Sequence, residues 1–189
     1  MRIAISGAQS TGKTTLAKDL AEMIPNARVE PEPFRVLRDR LGLVSGHDSM
    51  TPEQELALIE HSGRRMQALR GGETVVYDRC ALDALAHALV AEERGNPAFT
   101  SEWIETLREA TRIATGALTL LVVVPVSRNV PLLDDGVRST DADYQGAVDR
   151  VIRRLGSDFP RVLEVDGDRQ DRVDRILASI DPDLRYGRR

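Results

Sequence analysis

The chain has 189 residues, 41% of them hydrophobic and 30% charged, which is enough apolar content for one buried core and shows none of the bias of a disordered chain. A net charge of −4 excludes a broadly nucleic-acid-binding surface, though not a local basic cleft, and no apolar run nears the ~20 residues that span a bilayer. The single cysteine, Cys80, excludes an internal disulfide framework and fits a reducing, cytoplasmic setting.

In chain order, Arg2–Ser6 reads as a short apolar strand ending at Gly7. Leu16, Leu20, Met23 and Ile24 recur at helical spacing, so a helix is expected over Lys13–Ile24, stopped by Pro25. Ala27–Glu30 is a second strand and Pro33–Leu41 a helix, followed by a polar loop over Gly42–Met50. Thr51 then caps a long helix that opens on Pro52 and runs to about Leu69. Thr74–Tyr77 is a third strand ending at Asp78. Leu82–Glu92 and Ser101–Ala114 read as helices, and Leu118–Val124, apolar on both faces, reads as a central parallel strand. A charged loop over Ser127–Thr140 precedes a helix at Asp141–Leu155, a strand at Arg161–Val165 and a helix at Asp171–Ile180. The tail from Asp181 is polar.

Strands that alternate with helices imply an α/β fold, a parallel sheet of about five strands between two helical layers. The whole chain, 1–189, reads as a single domain. Ligands of such sheets bind beyond the carboxyl ends of the strands, where Gly7, Glu30, Glu32, Asp78 and Arg128 would gather.

Gly7-Ala8-Gln9-Ser10-Thr11-Gly12-Lys13-Thr14 has the spacing of a phosphate-binding loop, with an apolar strand before it and an amphipathic helix after it. The glycines let the backbone curl so that its N–H groups cradle an anion at the helix N-terminus. The expected phosphate-contacting set is Gly7, Gln9, Ser10, Thr11, Gly12, Lys13, Thr14 and Thr15, with Arg128 approaching from the later loop. Lys13 would reach the β- and γ-phosphates, and Thr14 would hold Mg2+ with Asp78 as its acidic partner. ATP and Mg2+ are therefore the expected cofactors.

Val75-Val76-Tyr77-Asp78-Arg79 puts an acid and a planar guanidinium at one strand end, where Arg79 could orient an acceptor. Arg28-Val29-Glu30-Pro31-Glu32-Pro33-Phe34-Arg35 is a stiff turn with two carboxylates, either of which could accept a hydroxyl proton. Arg138, in the loop over about 127–140, could close on the transferring group as a lid. Gln54 could read a base edge or lie in solvent, and His47, His61 and His87 lack metal-type spacing. No guanine-reading Asn-Lys-x-Asp exists, because the only lysines are Lys13 and Lys18.

This combination resembles the P-loop kinases of nucleosides and nucleotides. The Glu-Pro turn is similar to that of deoxyribonucleoside kinases, and the resemblance implies Glu32 as general base with Glu30 in reserve. Asp78-Arg79 resembles the Glu-Arg of those enzymes and the Asp-Arg of thymidylate kinases. Asp134-Asp135-Gly136-Val137-Arg138 is similar to the lid of the nicotinamide riboside kinase domain in a bacterial regulator of NAD synthesis. The implied function is transfer of the γ-phosphate of ATP to a hydroxyl of a nucleoside-like small molecule, with no membrane or nucleic-acid partner and a homodimer left open. A nucleoside monophosphate kinase and a non-catalytic ATP-binding switch remain alternatives.

Overall fold

A computed structural model describes residues 1–43, 50–69, 72–127 and 141–180. Five strands form one all-parallel sheet: β1 (Arg2–Ser6), β2 (Ala27–Glu30), β3 (Thr74–Asp78), β4 (Leu120–Val123) and β5 (Val162–Glu164), in the spatial order β2-β3-β1-β4-β5. Seven helices are found among the described residues: α1 (Lys13–Met23), α2 (Pro33–Leu41), α3 (Pro52–Gln67), α4 (Ala81–Glu93), α5 (Ser101–Thr115), α6 (Ala142–Gly156) and α7 (Arg169–Ile180).

Strand side chains alternate between two apolar layers, as a sheet covered on both faces requires. Ala4, Val75, Tyr77, Leu121 and Val123 pack under α3, α4, α5 and α6. Ile3, Ile5, Val76, Leu120, Val122 and Val124 pack against Leu16 and Leu20 of α1 and Val173, Ile176 and Leu177 of α7. The central strands β1 and β4 are buried throughout their apolar positions, whereas β5 is an edge with Val162 and Glu164 exposed.

The element boundaries differ from the sequence reading in small ways with local causes. β4 starts at Leu120 because the Leu118 N–H is taken by Thr115 O in the turn that ends α5. α7 starts at Arg169 because Asp168 Oδ1 accepts from the Asp171 N–H at 2.9 Å and so begins the helix early. Gln54 has a local role in the helix. It completes a capping box, its Oε1 accepting from the Thr51 N–H at 3.0 Å while its own N–H donates to Thr51 Oγ1 at 3.3 Å.

Candidate active site

The turn after β1 is the phosphate loop. A Cβ on Gly7 would lie 2.4 Å from Val124 O, so only glycine lets the loop leave the sheet beside β4. Gly12 has φ +87 and Ser10 φ +58, two left-handed residues that curl the loop before α1 begins at Lys13. Three helices remote in sequence pin the loop's own backbone. Asp83 of α4 accepts from Ser6 Oγ at 2.7 Å and the Gly7 N–H at 3.3 Å. Gln145 of α6 donates to Gln9 O at 2.7 Å, and Arg172 of α7 donates to Thr11 O at 2.8 Å. Thr15 sits on the exposed side of α1.

Lys13 is buried in the curl and donates to Ala8 O and, at 3.2 Å, to Thr11 Oγ1. Burial lowers its pKa from 10.5 to about 7, and the Arg79 charge pushes the same way against Asp83, Asp78 and Glu32. A polyphosphate in the loop would favour the charged form. At pH 8.5 the free protein holds Lys13 mostly neutral, so ATP binding should take up ~1 proton, and at pH 6 almost none. Calorimetry in buffers of different ionisation enthalpy measures this directly, and no uptake at pH 8.5 would refute it. Ligand-free stability should gain from the same group as pH rises from about 7 towards 10.5, because only the unfolded chain keeps the proton across that window.

Thr14 Oγ1 donates to Asp78 Oδ2 at 2.6 Å. The register sets this contact, since Ile5 pairs with Asp78 and brings the end of β3 level with the root of the loop. Two hard oxygen donors meeting at the loop mouth suit Mg2+, which takes one or two protein oxygens and keeps several waters.

Arg79 follows in the left-handed conformation, φ +70, unusual for a side chain of its size. Its contacts hold it there. The backbone N–H donates to Ile5 O at 3.0 Å, Nη1 to Gly7 O at 3.0 Å and Asp83 Oδ1 at 2.8 Å, and Nε pairs with Glu32 Oε1 at 2.8 Å. Arg79 thus ties the phosphate loop, α4 and the Glu-Pro turn together. Arg79→Ala should lower stability by about 3–5 kcal/mol, because buried Asp83 and partly buried Glu32 lose the guanidinium they share. Chemical denaturation checks this, and a loss below about 1 kcal/mol would mean the network is not coupled.

Glu32 stands at the N-cap position of α2, its carboxylate shared between Arg79 and Arg35, whose Nε donates to Oε2 at 3.0 Å. Glu30 is held away from that network by Arg28 and Arg65. Of the two carboxylates, Glu32 is therefore the one joined to the phosphate loop, through Arg79. Arg128 and Arg138, and with them the expected lid, lie outside the described residues, as does His47. Phe34 is partly buried against the core and Tyr77 lies inside it. His87 Nδ1 is 2.8 Å from Tyr144 Oη, and burial lowers the imidazole pKa to about 4, with Arg79 adding to the effect, so the ring is neutral. Cys80 is buried beside Ser6, and burial raises its thiol pKa to about 12, so it is packing and not a nucleophile.

Asp83, Gln145 and Arg172 were not among the expected site residues. Asp83 carried a readable sign, an acid in the first turn of a helix and four residues after Arg79. Gln145 and Arg172 carried none.

A curled loop on β1, a lysine inside it and a threonine–aspartate pair at its mouth define an α/β domain of the P-loop NTPase fold. The chain belongs to the AAA domain family, whose model matches residues 2–172. No curated protein matches the sequence. Among solved structures the chain is similar to the NadR protein in complex with NR, with a TM-score of 0.72, 20% identity and coverage of 93% of this chain and 50% of that one. It is also similar to thymidylate kinase from Candida albicans, with a TM-score of 0.70, 14% identity and coverage of 96% and 91%. Deoxyadenosine kinase from M. mycoides with bound dATP gives 0.68, 14% and coverage of 96% and 99%. The chain spans about half the length of NadR. The likeness is one of fold, and it is the nucleoside- and nucleotide-kinase fold that the sequence resembles.

Proposed function

We propose that this domain, 1–189, is an ATP-dependent small-molecule kinase that moves the γ-phosphoryl group to a hydroxyl of a nucleoside-like acceptor. The observation that carries the proposal is the placement of Glu32. It is joined through one guanidinium, that of Arg79, to the phosphate loop, at whose mouth Thr14 of α1 meets Asp78 of β3. The loop amides and Lys13 would hold the phosphates. Mg2+, held by Thr14 and through water by Asp78, would neutralise charge on the β- and γ-phosphates when bound. Glu32 would orient the acceptor hydroxyl and take its proton as the bond to phosphorus forms. Most of the rate would come from position and fixed charge.

Arg79 bears on the choice of acceptor. A monophosphate acceptor needs free guanidinium groups, and Nε and Nη1 of Arg79 are already committed to Glu32, Asp83 and Gly7 O. That favours an uncharged hydroxyl over a phosphate. Among the described residues no helix is long and apolar enough to cross a membrane. A cytoplasmic site of action belongs to the same proposal, with the free thiol of Cys80 in its support. The test is a screen of nucleosides, nucleoside monophosphates and sugars for ATP-dependent phosphorylation. Transfer to a nucleoside hydroxyl supports the reading. Transfer only to monophosphates, or ATP binding with no transfer to any of them, overturns it.

A further inference from the structure

Arg172 stands at the end of the first turn of α7 and is 6% exposed. Its Nε donates to Gly167 O at 3.0 Å and its Nη1 to Thr11 O at 2.8 Å. Both partners are backbone carbonyls, and among the described residues Arg172 makes no ion pair. A guanidinium taken out of water is normally matched by a carboxylate, because the bare charge costs stability. Holding α7 on the sheet gives no reason for that cost, since Val173, Ile176 and Leu177 already pack there.

The phosphate loop gives a reason. A trans peptide is planar, with its C=O and the following N–H pointing in opposite directions. A donor that grips Thr11 O from α7 therefore turns the Gly12 N–H away from α7. The guanidinium also lies against Gly12 itself, where a Cβ would meet Nη1 at 3.5 Å. Gln145 acts in the same way from α6. Its Nε2 holds Gln9 O at 2.7 Å and so turns the Ser10 N–H away from α6. The two helices cover opposite faces of the sheet, so the two N–H groups are turned inward from opposite sides. Ser10 and Gly12 are also the residues whose left-handed backbone curls the loop.

We propose that Arg172 is a positioning residue for polyphosphate binding: it fixes the Thr11–Gly12 peptide with its N–H aimed at the bound phosphate and sets its own charge behind that peptide. The inference rests only on the phosphate-binding part of the reading above and not on the transfer step. The bound anion is then the counter-ion of Arg172, reached through one polarised peptide and not by direct contact. The donor is in place before the ligand arrives, so the loop spends little free energy on reorganising when it binds.

The test measures the Kd of magnesium tripolyphosphate and of magnesium ATP by calorimetry for the wild type, Arg172→Met and Arg172→Lys. Methionine keeps the apolar stem and removes the donors and the charge. Both Kd values should rise by the same factor, ~10-fold or more, as befits a charged hydrogen bond. Lysine keeps the charge and can make one of the two bonds, so it should restore affinity to within ~3-fold of wild type. Amide spectra of protein labelled with [15N]glycine give a second readout. Tripolyphosphate should move the Gly12 N–H signal of the wild type downfield, and that of Arg172→Met much less. The Gly7 N–H, held by Asp83, serves as the internal reference. Should Arg172→Met fail to fold, Arg172→Lys carries the test through a reduced Gly12 shift. A variant that melts earlier but keeps its tripolyphosphate affinity and its Gly12 shift overturns the inference, for Arg172 would then be a structural tie alone. A loss confined to ATP also overturns it, by placing Arg172 at the nucleoside end. ATP binding without transfer to any acceptor leaves the inference standing and removes the kinase. A wild type that binds neither polyphosphate removes both.

Discussion

Lys13→Ala should abolish phosphoryl transfer, a loss of at least ~10³-fold, and should weaken ATP binding strongly, because the one positive charge inside the phosphate loop is gone. The fold should survive. Lys13 is buried deeply enough to have its pKa lowered to about 7, so its charge is a cost to the ligand-free protein that alanine removes. Against that stand its bonds to Ala8 O and Thr11 Oγ1, which are lost. The two effects oppose each other, and thermal unfolding should shift by only a few degrees, about 1 kcal/mol in either direction. Loss of binding with an intact fold, read by calorimetry and thermal unfolding on one preparation, is the expected pair of results. Normal turnover in the variant would remove the basis for any nucleotide-dependent reading.

Glu32→Gln should lower kcat by ~10²–10⁴-fold with a much smaller effect on ATP affinity, because the amide keeps the shape and loses the basicity. Glu32 accepts from two guanidinium groups, and the amide oxygen can still face Arg79, so the turn should hold its form. Glu30→Gln is the control. Glu30 is paired with Arg28 and Arg65, away from the phosphate loop, and its loss should leave kcat within ~3-fold of wild type. A large loss in Glu30→Gln and none in Glu32→Gln would move the base two residues earlier in the chain. No loss in either would point to an acceptor that arrives already ionised, as a monophosphate does.

The two expectations differ in how directly the sequence supports them, and the difference has a physical source. The phosphate loop was legible because its chemistry is local: the glycines, Lys13 and Thr14 act within one turn of backbone. The five strands were legible for the same reason, as short apolar runs between breakers. Even the pairing of Thr14 with Asp78 followed from topology, since β1 and β3 both had to end at the ligand edge. What could not be read was what fastens the loop. Gln145 reaches Gln9 across 136 positions and Arg172 reaches Thr11 across 161, and each side chain looks like any polar residue on an amphipathic helix. The burial of Glu55, 3% exposed on α3, was invisible for a related reason: one acid in a helix opening Pro52-Glu53-Gln54-Glu55 gives no local sign of which face the tertiary packing covers. The order of roles within the Glu-Pro turn rests on resemblance alone; the geometry adds only that Glu32 pairs with Arg79 while Glu30 pairs with Arg28 and Arg65.

The left-handed backbone at Arg79 constrains how this site can drift. Glycine or asparagine would relax φ +70 but would strand Asp83 and Glu32. Lysine would keep a charge and the same strained backbone, yet its single ammonium cannot reach Gly7 O, Asp83 and Glu32 along the directions that a planar fork allows. Each single replacement therefore mends one fault and opens another. Departure from arginine needs at least two coordinated changes, one at position 79 and one at an acidic partner. An evolving relative of this chain would change other positions more readily than the residue that ties three segments together.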